Sequence, residues 1–256
     1  MSEALASTAH DAPLLEARGL ALHAGARPLV EGLAWRVGAG ERWCVIGRNG
    51  AGKSLVLRAL AGLPVPRRAG EVLWRGRPQH AWSPADAAAV RALMPQQAQD
   101  RFALGVERVL ALAAVATPEP ERPARSAALL EALDVAALAR RRVDQLSGGE
   151  RQRVALAQCA IQGAALMLLD EPVSFQDPAH QQLVGRFLAG AAGPGRAWIA
   201  SAHDPSWIAR VATHVLALTG DGRWEAGTVD EMLRAPVLER TYGCPWRAVD
   251  GAWIAL

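Results

Sequence analysis

An eight-residue stretch, Gly47-Arg48-Asn49-Gly50-Ala51-Gly52-Lys53-Ser54, constrains this 256-residue chain more than any other feature. It fits the spacing G-x-x-x-x-G-K-[ST] at every fixed position. It also lies between a short apolar run, Arg42–Ile46, and a helix-forming stretch, Lys53–Leu63. An apolar run of that length without polar alternation suits a buried strand. Three glycines let the main chain curl tightly and approach an anion closely. The N–H groups of such a loop turn inward, and the helix that follows adds partial positive charge at its N-terminus. Lys53 is then placed to reach the β- and γ-phosphates of a nucleotide, and the Ser54 hydroxyl to complete part of a Mg²⁺ shell. Lys53 is also the only lysine in the chain. Either it survived an arginine bias by chance, or the site needs a slim ammonium where a planar guanidinium does not fit.

A second cluster follows the run Leu166-Met167-Leu168-Leu169, which is apolar until it delivers Asp170 and Glu171. An acid at the end of a buried strand is costly without a partner. Mg²⁺ is the expected partner of Asp170. Glu171 would point toward the γ-phosphate, orienting and deprotonating the attacking water. Strand ends with solvated acids look the same in isolation; the phosphate loop upstream decides between the two.

The remaining pattern alternates strands with helices, which indicates an α/β architecture with a mostly parallel sheet. Strands are expected at Leu14–His23, Leu29–Val37, Glu71–Trp74, Ala197–Ala202 and Val215–Leu218. Helices are expected at Ala85–Ala92, Gly148–Ile161, Pro178–Ala191 and Ser206–Val211. Between Gln97 and Leu146 the character turns helical, with Val106–Ala116, Ala124–Leu133 and Val135–Arg141 separated by breakers. Ser147 and Glu150 form an S-x-x-E capping box at the start of one helix, and Gly148 and Gly149 leave its first turn bare. An anion can approach such a turn; a plain capped helix reads identically.

Composition narrows the class. A net charge of +3 with dispersed arginines does not argue for nucleic acid, and the run Arg140-Arg141-Arg142 reads as a solvated face. Cys44, Cys159 and Cys244 lack the spacing of a zinc site or a disulfide framework, so a reducing compartment is expected. Residues 1–13 lack the apolar core of a signal peptide. No run approaches the roughly 18 apolar residues of a membrane span. The nine tryptophans read as packing residues, among them Trp198 in a core strand and Trp224, Trp246 and Trp253 near the sheet edge.

Leu146-Ser147-Gly148-Gly149-Glu150-Arg151-Gln152-Arg153 resembles the signature motif of ABC ATPases, and the family's other motifs stand in the family's order. The phosphate loop resembles the Walker A motif, Gln96 the Q-loop glutamine, Leu166 to Glu171 the Walker B strand, Ser174 to Asp177 the D-loop, and His203 the switch histidine. The resemblance implies a P-loop NTPase fold of ABC type, with an N-terminal antiparallel β part and an inserted helical subdomain. It implies one domain over residues 1–256, with a catalytic core at 14–96 and 163–220, a helical insertion at 97–162 and a short C-terminal extension at 221–256. It implies ATP and Mg²⁺ as ligands. Gly47, Arg48, Asn49, Gly50, Ala51, Gly52, Lys53, Ser54, Leu55, Gln96 and His23 would bind nucleotide. Ser54, Gln96 and Asp170 would hold the metal, and Glu171, His203 and Lys53 would carry catalysis. It also implies a head-to-tail dimer, in which Ser147, Gly148, Gly149 and Asp177 of a second copy serve the nucleotide in trans.

Four positions depart from the family pattern. Leu55 stands where a second hydroxyl residue is usual, Phe175-Gln176 replaces a small and aliphatic pair, and His23 occupies the place of an adenine-stacking aromatic, where a surface histidine is the alternative. The tails 226–233 and 238–243, with Asp177-Pro178-Ala179-His180-Gln181, resemble ATPases serving iron-chelate, haem and cobalamin importers. That implies integral-membrane permease partners, an external substrate-binding protein, no nucleic acid, and a place at the cytoplasmic face of the inner membrane. The rival readings are an exporter ATPase, a soluble ABC protein of translation or DNA repair, and a non-hydrolysing regulator. The first lacks a binding protein, the second usually has two cassettes or coiled-coil insertions, and retention of Glu171 and His203 speaks against the third.

Overall fold

The computed structural model describes residues 12–66, 68–96 and 104–256. Residues 1–11, read for a leader segment, and 97–103, the opening of the helical insertion, lie outside these described residues. The chain starts with an antiparallel hairpin, β1 (Leu15–Ala24) and β2 (Arg27–Val37). Next come β3 (Arg42–Ile46), α1 (Lys53–Leu60), β4 (Arg68–Trp74) and the two-residue β5 (Arg77–Pro78). Strands β1, β2, β4 and β5 form one antiparallel sheet in the order β2-β1-β4-β5. Helix α1 is shorter than its apolar pattern predicts, because Gly62 takes a left-handed conformation and the N–H of Leu63 turns back to the Arg58 carbonyl.

The second sheet is the one that carries the site. Its strands are β3, β6 (Arg91–Met94), β7 (Leu166–Leu169), β8 (Ala197–Ser201), β9 (His214–Leu218) and β10 (Trp224–Thr228). Their order is β10-β9-β3-β8-β7-β6, parallel except for the antiparallel edge pair β9 and β10. Both faces are buried. Cys44, Met167, Leu169, Trp198 and Ala200 face one core, while Trp43, Val45, Leu166, Leu168 and Ile199 face the other. The period-2 alternation of side chains thus serves two apolar layers, which is why these strands read as unbroken hydrophobic runs. Burial also covers polar strand ends: Ser201 is fully buried at the end of β8.

Two further helix expectations change. Ala85–Ala92 splits into α2 (Pro84–Val90), capped by Ser83, and the strand β6. Parallel pairing of Arg91 and Ala92 with Leu166 and Met167 outcompetes another helical turn. The helical subdomain comprises α3 (Val106–Ala113), α4 (Arg122–Ala132) and α5 (Gly148–Ile161). The expected helix at Val135–Arg141 is only a 3-10 turn, Ala136–Leu138. Asp134 adopts a left-handed conformation that ends α4. The carbonyls of Ala139 and Arg141 then accept from the N–H groups of Glu107 and Val106 at the start of α3, so they cannot continue a helix.

After β7 come α6 (Pro178–Ala191), β8, α7 (Pro205–Val211) and β9. The C-terminal stretch is more structured than a short extension suggests. Strand β10 completes the main sheet, so the sheet runs past residue 220. It is followed by α8 (Val229–Met232), α9 (Ala235–Tyr242) and a hairpin of β11 (Trp246–Val249) and β12 (Ala252–Ala255). Leu238 of α9 is fully buried in the core that also holds Cys44 and Ile46, so α9 is anchored close to the strand preceding the phosphate loop. No helix among the described residues is long and apolar enough to cross a membrane.

Candidate active site

The site lies beyond the carboxyl ends of β3, β7 and β8, where open α/β sheets present their crevices. Strand β3 delivers Gly47, whose φ is +150°. A side chain there would lie 2.5 Å from the Leu218 carbonyl oxygen, so the loop starts on a residue that must be glycine. Gly52 caps α1 in a left-handed conformation without a side-chain hydrogen bond, and no acidic residue occupies the first turn of α1. The positive end of that helix is therefore not neutralised by its own sequence. Lys53 is only 6% exposed. Its Nζ donates to the Gly47 carbonyl at 2.8 Å and the Arg48 carbonyl at 3.2 Å. Burial lowers its pKa, and the charges of Glu171 and Asp170 partly oppose that. Among the described residues no ion pair involves Lys53.

Asp170 is buried at the end of β7, and its Oδ1 accepts from the Ser201 hydroxyl at 2.6 Å. Ser201 Oγ also accepts from the Glu171 N–H at 2.8 Å. The Glu171 carbonyl accepts from the side-chain amide of Gln152 on α5. Glu171 itself has a left-handed backbone (φ +53°), an arrangement costing of order 1–3 kcal/mol in a non-glycine residue. Pinned at both main-chain groups, it turns its carboxylate to Ser174, whose hydroxyl donates at 2.8 Å, and to His203, whose Nε2 lies 2.9 Å away. Burial raises the Glu171 carboxyl, but hydrogen bonds from His203, Ser174 and Gln96 outweigh it and hold the group below the usual carboxylate range.

These parts open onto one cleft of about 900 Å³. Lys53, Ser54, Gln96, Glu171 and His203 line it, as do Asn49, Gly50 and Gly52 of the loop. His23 and Leu55 line it too, and His23 stands 3.8 Å from Glu31. Ser147, Gly148, Gly149 and Asp177 do not line it. Ser147 and Glu150 make the reciprocal capping box at the start of α5, and Asp177 caps α6 by accepting from the His180 N–H. Gln176 donates to the Gly149 carbonyl at 2.8 Å and accepts from Arg153 at 2.7 Å. Phe175, 76% exposed, lies against Gly148. The D-loop of this chain is thus bonded to its own signature turn.

Sequence reasoning missed three contributors. Ser201 ties Asp170 to Glu171; its signal was a hydroxyl closing an otherwise apolar strand. Arg27 donates to the Gly50 carbonyl at 2.6 Å from the turn of the hairpin, and Gln152 holds the Glu171 carbonyl. Arg27 carries no local pattern that marks it, and the signature-like stretch that contains Gln152 carries no cue to this bond.

The donor set fits a nucleotide polyphosphate. A buried ammonium bonded to carbonyls and in no ion pair among the described residues, beside an uncapped helix start, suits the close anionic partner that a phosphate supplies. It also fits a hard cation. No cluster of three or more His, Cys, Asp or Glu residues among the described residues could cage a metal alone. One carboxylate and a few neutral oxygens are what Mg²⁺ uses when substrate phosphates and water complete its shell.

Sheet order, glycine loop and paired acids define an α/β P-loop NTPase. Residues 30–174 match the family model described as ABC transporter. The hemin import ATP-binding protein HmuV of Streptomyces coelicolor is 40% identical over 237 residues, covering 91% of this chain and 84% of the relative. Its counterpart in Bordetella pertussis is 38% identical over 244 residues, covering 90% and 92%. A metal-chelate type ABC transporter solved in an inward-facing conformation superposes with a TM-score of 0.78 at 22% identity, over 95% of this chain and 98% of that one, a likeness of fold. The chain belongs to the ABC transporter family.

Proposed function

We propose that this chain is the ATP-hydrolysing subunit of an ABC importer whose cargo is haem or a related iron chelate. The observation that carries the ATPase reading is the buried Lys53 ammonium facing the Glu171–His203 pair across one cleft. The cargo reading rests on the relatives that import hemin and on the importer-like tail.

Lys53 and the amides of Gly47, Arg48, Asn49, Gly50, Ala51 and Gly52 would bind the β- and γ-phosphates, with Ser54 and Leu55 at the start of α1 and His23 beside the base. Ser54, Gln96 and Asp170 would hold Mg²⁺, which neutralises charge on the phosphate oxygens. Glu171, kept ionised by its hydrogen bonds, takes a proton from the attacking water as the water oxygen bonds to the γ-phosphorus and the bond to the bridging oxygen breaks. His203 orients Glu171 and contacts the γ-phosphate. Ser147, Gly148, Gly149 and Asp177 stand outside their own cleft, which suits service to a nucleotide held by a second copy. Closure of two copies excludes water and completes each site. Permease subunits at the cytoplasmic membrane face take up the motion, fed by an external binding protein.

Mg²⁺-dependent ATP turnover by the purified chain tests the first part: Lys53→Ala should lose it, and turnover within twofold of wild type would refute the assignment. Haem-stimulated turnover after reconstitution with the permease and binding protein tests the cargo; stimulation by an unrelated solute alone would overturn that part.

A further inference from the structure

Tyr242 is the only tyrosine of the chain, at the last position of α9 in the C-terminal stretch. Its ring is partly buried against the core and lies 5.2 Å from Trp246. Its hydroxyl donates to the His203 carbonyl at 3.3 Å. One phenol therefore touches the residue that pairs with Glu171, at the end of a helix whose following residue packs against the phosphate loop.

That contact is one step from a reacting group. His203 carries Glu171 on its ring. The grip is wider than one bond. Gly243, next in sequence, sits so close to Arg48 that a side chain on it would lie 3.1 Å from the Arg48 guanidinium. The N–H of Trp253 in β12 donates to Ser206 Oγ at 2.9 Å, in the first turn of α7 just after His203. Sequence elements far apart, the loop after β3 and the loop after β8, are thus held by a segment that contributes no group to the cleft.

We propose that the Tyr242 hydroxyl is a positioning group for ATP hydrolysis, fixing the His203 main chain relative to the phosphate loop that Gly243 packs against, so that Glu171 stays in register with the Lys53 ammonium. This rests on the ATPase reading. It assigns the C-terminal stretch a role in the chemical step, separate from nucleotide affinity. Contacts that are equal in ground and transition states change KM, whereas register between the ammonium and the base matters when the water attacks.

The experiment is steady-state Mg²⁺-ATP turnover with Tyr242→Phe, which keeps the ring and its packing and removes only the hydroxyl. The expected result is a fall in kcat of about five-fold or more, the loss typical of one hydrogen bond, with KM for ATP within about twofold and the melting temperature within about 2 °C. Tyr242→Leu, which loses ring and hydroxyl, should lower melting temperature as well. A Tyr242→Phe chain with wild-type kcat would overturn the proposal. So would a loss of kcat matched by an equal loss of stability, since that is a packing role. Absence of turnover in the unmodified chain, with Lys53→Ala indistinguishable from it, would instead overturn the ATPase reading itself.

Discussion

Glu171 shows how much a single residue can be made to do by its surroundings. Its left-handed backbone is unfavourable by itself, and two side chains from different elements, Ser201 and Gln152, hold it there. A glutamine in its place keeps the size and most hydrogen bonds but cannot take a proton. Glu171→Gln should therefore lower ATP turnover by about 10²–10⁴-fold while leaving nucleotide binding, read by calorimetry, near wild type. Retained turnover would remove Glu171 from the role of base. The acid pair itself was visible in the sequence because a phosphate loop lies upstream of it; an apolar run ending in two carboxylates is ambiguous in isolation. What holds the pair was not. Ser201 reaches Asp170 from the neighbouring strand and Arg27 reaches Gly50 from the hairpin turn, and such long-range pairing leaves no spacing to read.

At the scale of elements, the start of α5 is the clearest case of local sequence dictating local structure. Ser147 accepts from the Glu150 N–H, and Glu150 accepts from the Ser147 N–H at 2.8 Å. Ser147→Ala should cost about 1 kcal/mol of stability, measured as a lower midpoint in denaturant. The Ser147 main-chain N–H, then its hydroxyl, hold the Glu150 carboxyl below its ordinary value of 4.5. Its charged cap is then fully present above that value and lost as pH falls through the lowered one. The stability difference between wild type and Glu150→Gln should accordingly shrink on acidification; a difference that grows would contradict the cap. Helices α5 and α6 were legible to the residue because capping boxes and proline at the first turn are local signals. The turn at Ala136–Leu138 and the strand β6 were not, because distant partners, the start of α3 and the edge of β7, decide them. The C-terminal elements were read only as a tail, since their short strands gain meaning from the sheet edge and core they join.

For the whole molecule, the division of labour is the notable point. One group of residues lines the cleft, while Ser147, Gly148, Gly149 and Asp177 do not. A chain built this way should associate when nucleotide is bound and cannot be cleaved. Glu171→Gln with Mg²⁺ and ATP is expected to elute as a dimer by light scattering, and as a monomer without nucleotide. A monomer under both conditions would contradict service in trans. The α/β class and the parallel sheet were readable from alternating strands and helices, and the antiparallel N-terminal part followed from the family resemblance. Strand order was not, since β3 at the centre pairs with β8 and β9, segments more than a hundred residues away.

The depth of Lys53 has a practical corollary. Every other cationic side chain in the protein is arginine or histidine, so an amine-directed reagent meets one side-chain target besides the terminal amine. That target lines the cleft, and its lowered pKa leaves more of it in the reactive neutral form. Covalent tagging followed by mass measurement then becomes a direct gauge of occupancy: whatever fills the crevice shields the tag site, and no competing lysine blurs the count.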